Sequence, residues 1–255
     1  MTARGIVISG ASRGIGRALA MRLAQPGLHL ALIGRDEALL RDVVQACEAK
    51  GAAASAIVAD VRDRPLVADR LEAFEAACPI DLVVANAGVA LPAGDDDAVA
   101  TAAYGEIDVN LSGALNTILP VVPWMSARRR GQLAFVSSLA AFAPLPDSPG
   151  YSASKAALLV FGLALRERLR ARGIRVNVIC PGYIDTEMGA RYRGWRPLAM
   201  SAEAAADRIA YGLERDRAVI AFPRRLALAA RLSTLVPEPV RRLGLSGFRF
   251  SIDRD

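Results

Sequence analysis

Short apolar runs alternate along this chain with longer stretches of helical character. Arg4–Ser9, Leu28–Ile33, Ala53–Ala59, Ile80–Ala85, Leu133–Ser137 and Arg175–Ile179 are brief and mostly apolar. Runs of this kind, without strict alternation and bounded by turn residues, predict strands buried on both faces. Between them Ala18–Ala24, Glu37–Lys50, Arg64–Ala77, a long region from Asp95 to about Met125, and Tyr151–Arg172 are expected to be helical. Glu203–Glu214 is a further helix and Ala218–Phe222 a candidate last strand. Strand and helix in repeated succession, joined by short links, predict a parallel sheet with helices on both faces, a doubly wound α/β fold. At 255 residues the chain fits one large domain of this type or two small ones.

The expected strand ends carry the polar residues and glycines. The first strand runs into Gly10-Ala-Ser-Arg-Gly-Ile-Gly16 and then into a helix. Glycine lets the backbone turn tightly and approach a ligand, and the free amides of a helix N-terminus favour a pyrophosphate. The spacing Gly-x-x-x-Gly-x-Gly differs from the usual dinucleotide fingerprint. The second strand ends at Arg35-Asp36, where a dinucleotide's ribose would be read. Arginine there suits a 2′-phosphate, and with Arg13 it argues for NADP(H), with NAD(H) possible. Asp36 could instead cap the next helix. Asp60-Val61, Asn86-Ala87-Gly88 and Ser138 fall at later strand ends. In open α/β sheets ligands bind beyond these carboxyl ends.

Tyr151 and Lys155 are four residues apart and share one helix face. Pro144, Pro146 and Pro149 keep the segment after Ser138 in a loop. A free phenol, with a pKa of about 10, is a poor proton carrier at neutral pH. A fixed ammonium nearby is expected to lower that value, so that Tyr151 can exchange a proton with a carbonyl or alcohol oxygen. Ser138 can hydrogen-bond the same oxygen. Asn110 lies between Val109 and Leu111 in a helical stretch and needs partners there, for structure or for function.

Composition narrows the rest. Net charge is +6, yet only Lys50 and Lys155 are lysines, and no basic stripe interleaved with aromatics is present. Nucleic acid is therefore not expected as a partner. Cys47, Cys78 and Cys180 have neither metal-ligand spacing nor the pattern of a disulfide framework, which fits a cytoplasmic protein. The lone histidine, His29, sits within a strand and reads as structural, so no metal is expected. No secretory signal and no run long enough to span a bilayer stand out.

Two segments stay open. Tyr183–Met200, with Tyr183, Met188, Tyr192, Trp195 and Met200, suits a cover over the site or an ordinary surface loop. Residues 223–255 form an extension to the 1–222 domain. Leu228, Leu232 and Leu235 have helical spacing, Arg224 and Arg231 blur the polar face, and Pro237 and Pro239 stop any helix. Packing on the domain's own core is the preferred reading over contact with a membrane surface or a partner.

From Gly5 to about Phe222 the chain resembles the short-chain dehydrogenase/reductase family in its compact single-domain form. The signals are Ser9–Gly16, Asn86-Ala87-Gly88, the set Asn110, Ser138, Tyr151 and Lys155, and Pro181-Gly182 with Ile184 and Thr186. The resemblance implies a seven-stranded doubly wound sheet. It implies an oxidoreductase that interconverts a small-molecule carbonyl and an alcohol. Tyr151 would be its acid/base, and Lys155 would bind the nicotinamide ribose. Ser138 would orient the substrate oxygen, and Asn110 would hold a water that continues a proton relay. Gly10, Ser12, Arg13, Gly14, Ile15 and Gly16 would contact cofactor, with Asp60 and Val61 flanking the adenine. It also makes a homodimer or homotetramer plausible. Ser9 stands where threonine is commoner, and the ending lacks the glycine-rich, acidic character of many tetrameric relatives.

Overall fold

The structure is a computed structural model that describes residues 4–92, 96–233, 236 and 251–252. Asp95, Leu235, Pro237 and Pro239 lie outside the described residues. One parallel sheet of seven strands organises the chain. Its strands are β1 (Arg4–Ser9), β2 (Leu28–Gly34), β3 (Ala53–Val58), β4 (Ile80–Ala85), β5 (Gly131–Val136), β6 (Ile174–Pro181) and a last strand, Val219–Phe222. The order across the sheet is β3-β2-β1-β4-β5-β6 and then Val219–Phe222, with every neighbour parallel. The order reverses between β1 and β4, so the connections from these two strands diverge and leave a crevice at their carboxyl ends.

Helices cover both faces, as unbroken apolar strands require. They are α1 (Gly14–Leu23), α2 (Glu37–Glu48), α3 (Arg64–Ala77), α4 (Asp96–Glu106), α5 (Gly113–Ile118), α6 (Val122–Ala127), α7 (Pro149–Arg170), α8 (Glu187–Ala190), α9 (Ala202–Glu214) and α10 (Arg224–Ser233). One core layer joins Ile8, Leu19, Leu30, Leu40 and Ile209, and the other joins Val7, Leu71, Ile118, Phe135 and Leu158. His29 packs its ring edge-on to Phe74 at 4.8 Å, in a structural setting.

The expected long helix from Asp95 to Met125 is not continuous. A π-helical segment, Ile107–Ser112, and a 3-10 turn, Leu119–Val121, interrupt it. Pro120 lacks the amide that α-helical bonding needs at the second break. The π segment puts Asn110 one residue out of α register, and such insertions often mark functional sites. Two further helices begin earlier than expected. α1 starts inside the glycine loop at Gly14, and α7 starts at Pro149, whose fixed φ suits a first turn.

Tyr183–Met200 is partly regular: it contains α8 and the short strands Ile184–Asp185 and Tyr192–Arg193, and Ile184–Asp185 pairs with Met200–Ser201. At the start of the extension, α10 buries Ala227 against Leu139, Leu159, Val178 and Cys180, with Leu226 packed beside them.

Candidate active site

The glycine loop is held by the strand beside it. The Ser9 hydroxyl accepts from the amides of Asn86 at 3.1 Å and Ala87 at 3.2 Å. The Asn86 amide nitrogen donates back to the carbonyls of Ser9 and Gly10, both at 3.0 Å. The tips of β1 and β4 are thereby locked together, and the loop between β1 and α1 leaves from a fixed point. Gly14 has φ +55°, a conformation that disfavours side chains, and a Cβ there would lie 3.2 Å from the Thr186 methyl. A Cβ on Gly16 would come within 2.2 Å of the Gly10 carbonyl oxygen. Arg13 is the N-cap residue of α1 and supplies no side-chain cap, so the first-turn amides stay open to an anion. This cradle fits the pyrophosphate of a nicotinamide dinucleotide.

A cleft of about 1390 Å³ runs from the glycine loop across the strand ends to α10. Gly10, Ser12, Arg13, Gly14, Ile15, Arg35, Asp60, Val61, Asn86, Ala87 and Gly88 line one part of it. Ser138, Tyr151, Lys155, Pro181, Gly182, Ile184 and Thr186 line the rest. Gly16 and Asn110 do not reach it. Gly16 is buried against the loop backbone. Asn110 is fully buried, and its amide accepts from the Val89 N–H at 2.7 Å and donates to the Val89 carbonyl at 3.0 Å and to Ser154 Oγ at 3.1 Å.

At the far end of the sheet Asp36 does cap α2, accepting from the Leu39 amide at 3.1 Å. Its other oxygen pairs with Arg13 at 3.7 Å, and Arg13 also pairs with Glu187 of α8. Asp60 is gripped by Arg62, whose bonds hold its carboxyl below the usual range. Arg35 adds a further positive charge close enough to act on Asp60.

Around Tyr151 the geometry is tight. Ser138 shares a hydrogen bond with the Tyr151 phenol. The Lys155 ammonium lies 5.6 Å from the centre of the Tyr151 ring and donates to the Val136 carbonyl at 2.9 Å. Ser137 donates to the Lys155 carbonyl at 2.7 Å. The tip of β5 and the first turns of α7 are therefore stitched together immediately before Ser138.

One expectation is overturned here. Lys155 was expected to lower the Tyr151 pKa, but burial pushes that phenol up, only partly offset by the Ser138 hydrogen bond. Lys155 is buried too, which pulls its own pKa down to about 8, and its ammonium donates to the Val136 carbonyl.

The sequence reading missed Glu106. It is 1% exposed, and its carboxylate accepts from the Leu91 amide at 2.9 Å and from the Tyr151 backbone amide, with Ser148 donating at 3.4 Å. Burial pushes this carboxyl up. It lies four residues before Asn110, and that spacing was the available signal. Arg62 and the α10 residues Leu226, Ala229 and Ala230 also line the cleft and were not singled out. Among the described residues no group of His, Cys, Asp and Glu is arranged to hold a metal, and no helix is long and apolar enough to cross a membrane.

The model of the short chain dehydrogenase family matches residues 4–197. An oxidoreductase of Myxococcus xanthus is 36% identical over 241 residues, covering 94% of this chain and 95% of that protein. Among solved structures, a short-chain dehydrogenase from Sphingobium yanoikuyae in complex with NADPH matches with a TM-score of 0.80 at 27% identity, covering 99% of each chain. A short chain dehydrogenase from Mycobacterium paratuberculosis bound to NAD gives 0.77 at 27% identity, covering 86% of this chain and 95% of that one.

Proposed function

The chain belongs to the short-chain dehydrogenase family of NAD(P)-dependent oxidoreductases, and on that premise we propose that it interconverts a small-molecule carbonyl and an alcohol, with Tyr151 as acid/base. The observation that carries this reading is the grouping of Ser138, Tyr151 and Lys155 in the cleft that also holds the glycine loop. A nicotinamide dinucleotide, when bound, supplies or accepts the hydride. Ser138 orients the substrate oxygen by a hydrogen bond. Tyr151, kept protonated by its raised pKa, gives its proton to that oxygen in the reducing direction. Lys155 would hold the nicotinamide ribose of the bound cofactor, and its bond to Val136 fixes α7 to the tip of β5. In this reading Asn110 braces Val89 against α7. Its side-chain oxygen accepts one bond, from Val89, so its second lone pair could take a water that continues a proton relay.

The preferred cofactor is NADP(H). Asp36 is turned to the α2 cap and to Arg13, and Arg62 is paired with Asp60, which leaves Arg35 to meet a 2′-phosphate at the adenosine end. NAD(H) is the alternative. Residues 1–222 make up the catalytic domain, with 223–255 as an extension that α10 seats on it. Exposed Tyr104, Val160 and Leu163 on α4 and α7 support a homo-oligomer, and the three buried cysteines support a cytoplasmic setting.

The test is NADPH and NADH oxidation across aldehydes, ketones, quinones and 3-ketoacyl compounds, with Tyr151→Phe as control. Turnover that the variant loses while still binding NADPH supports the reading. Turnover unchanged in the variant sinks the Tyr151 mechanism.

A further inference from the structure

The cleft, about 1390 Å³, reaches past the strand ends to α10. Leu226, Ala229, Ala230 and Ser233 all face the cleft, at the i, i+3, i+4, i+7 spacing of a single helical stripe. The stripe begins at the reacting end: a Cβ on Gly182 would lie 3.2 Å from Leu226 Cδ2 and 3.4 Å from Leu139 Cδ1. From there it runs for about 10 Å at the helical rise per residue. Its small side chains leave a groove. Leu139 and Leu145 from the segment after Ser138, with Tyr183 and Tyr192, line the same part of the cleft.

Charge is nearly absent from this half. Arg13, Arg35, Asp36, Asp60 and Arg62 gather at the adenosine end. Glu187 is paired to Arg13, and Arg191 is already engaged within the chain. The groove is also held in place: the Arg231 guanidinium stacks over the Phe142 ring at 4.8 Å, tying α10 to the loop opposite.

We propose that α10 forms a specificity wall that selects uncharged carbonyl compounds with an extended apolar body, the carbonyl at Tyr151 and the apolar body along Leu226–Ser233. This deepens the reductase reading and rests on it. Each buried methylene should then raise kcat/KM by about fourfold until the body outruns the stripe.

The experiment uses the full chain with NADPH and a series of methyl n-alkyl ketones, from butyl to dodecyl. Binding of the same ketones to Tyr151→Phe is followed by calorimetry. The expected result is kcat/KM and affinity that climb with alkyl length. Ala229→Phe should cut the dodecyl-to-butyl ratio about tenfold. Leu228→Asp, 60% exposed on the other face of α10, should leave the whole series unchanged. Should Ala229→Phe fail to fold, Ala229→Ser tests the same groove, weakening the longest ketones most. Tyr151-dependent turnover that is flat with alkyl length overturns the wall and spares the reductase. Graded binding without turnover of any ketone sinks the reductase reading and keeps the apolar groove.

Discussion

The Lys155 ammonium is bound to the Val136 carbonyl oxygen at 2.9 Å, so the helix that carries Tyr151 is anchored to the tip of a central strand. A buried cation in that position carries a cost as well as a function. Burial lowers the Lys155 pKa from 10.5 to about 8.

The sign of the linkage follows. With a folded pKa below the unfolded one, the unfolded chain binds more protons between about pH 8 and 10.5. Stability therefore rises with pH across that window, and the burden is fully present below it. Lys155→Met removes the effect. The difference in unfolding free energy between wild type and variant should move in favour of the wild type from pH 8 to 10, by an amount on the order of 3 kcal/mol at its limit. Calorimetric scans of both proteins at stepped pH check this, and a constant difference rules out the buried ammonium. Turnover in the variant should be lost throughout.

Glu106 behaves in the opposite sense. Its pKa is raised by burial, so its contribution is complete below the unfolded pKa and declines as pH rises through the folded one. Glu106→Gln keeps an acceptor for Leu91 and Tyr151 without a charge. It should match the wild type at pH 5 and equal or exceed it at pH 8. Glu106→Ala leaves those amides unpaired and should lose about 1–3 kcal/mol at both. Thermal denaturation of the three proteins at the two pH values decides the matter.

Arg35→Asp should weaken NADPH binding about ten- to a hundredfold, the loss of a charge-assisted phosphate contact, with NADH affinity little changed. Fluorescence titration with each cofactor gives the ratio. An unmoved ratio assigns the 2′-phosphate elsewhere.

Gly16→Ala tests the cradle. The new methyl would fall 2.2 Å from the Gly10 carbonyl oxygen, so the loop must shift. A loss of about 1–3 kcal/mol in stability is expected, with weaker binding of both cofactors alike. Urea unfolding alongside cofactor titration separates the two effects.

Much of this architecture was readable from periodicity, because strands buried on both faces write themselves as unbroken apolar runs. The Ser9–Gly16 loop, Asn86 and the pair Tyr151–Lys155 were visible because backbone freedom and fixed spacing leave marks in sequence. What escaped depended on contacts between distant segments. Glu106 gains its meaning only when α4 is laid against the start of α7, and helical breaks at Ile107–Ser112 cannot be read from apolar spacing that remains nearly regular. The direction of the Tyr151 shift was misjudged for a related reason: spacing puts Lys155 on the right face but does not reveal how deeply the phenol is buried. In α10, arginines that blur the polar face hid a stripe of small residues whose role lies in what they leave open.

The alanine that seats α10, Ala227, gives it a shallow foothold on the sheet. The reacting groups hang from strand tips and from α7, and none of them leans on that helix for its backbone bonds. Chemistry and selectivity are therefore housed in separable parts of the chain. If the proposed wall holds, a graft of another sequence onto residues 224–233 that keeps Ala227 would re-address the enzyme to a new clientele while its hydride and proton transfers went on unaltered.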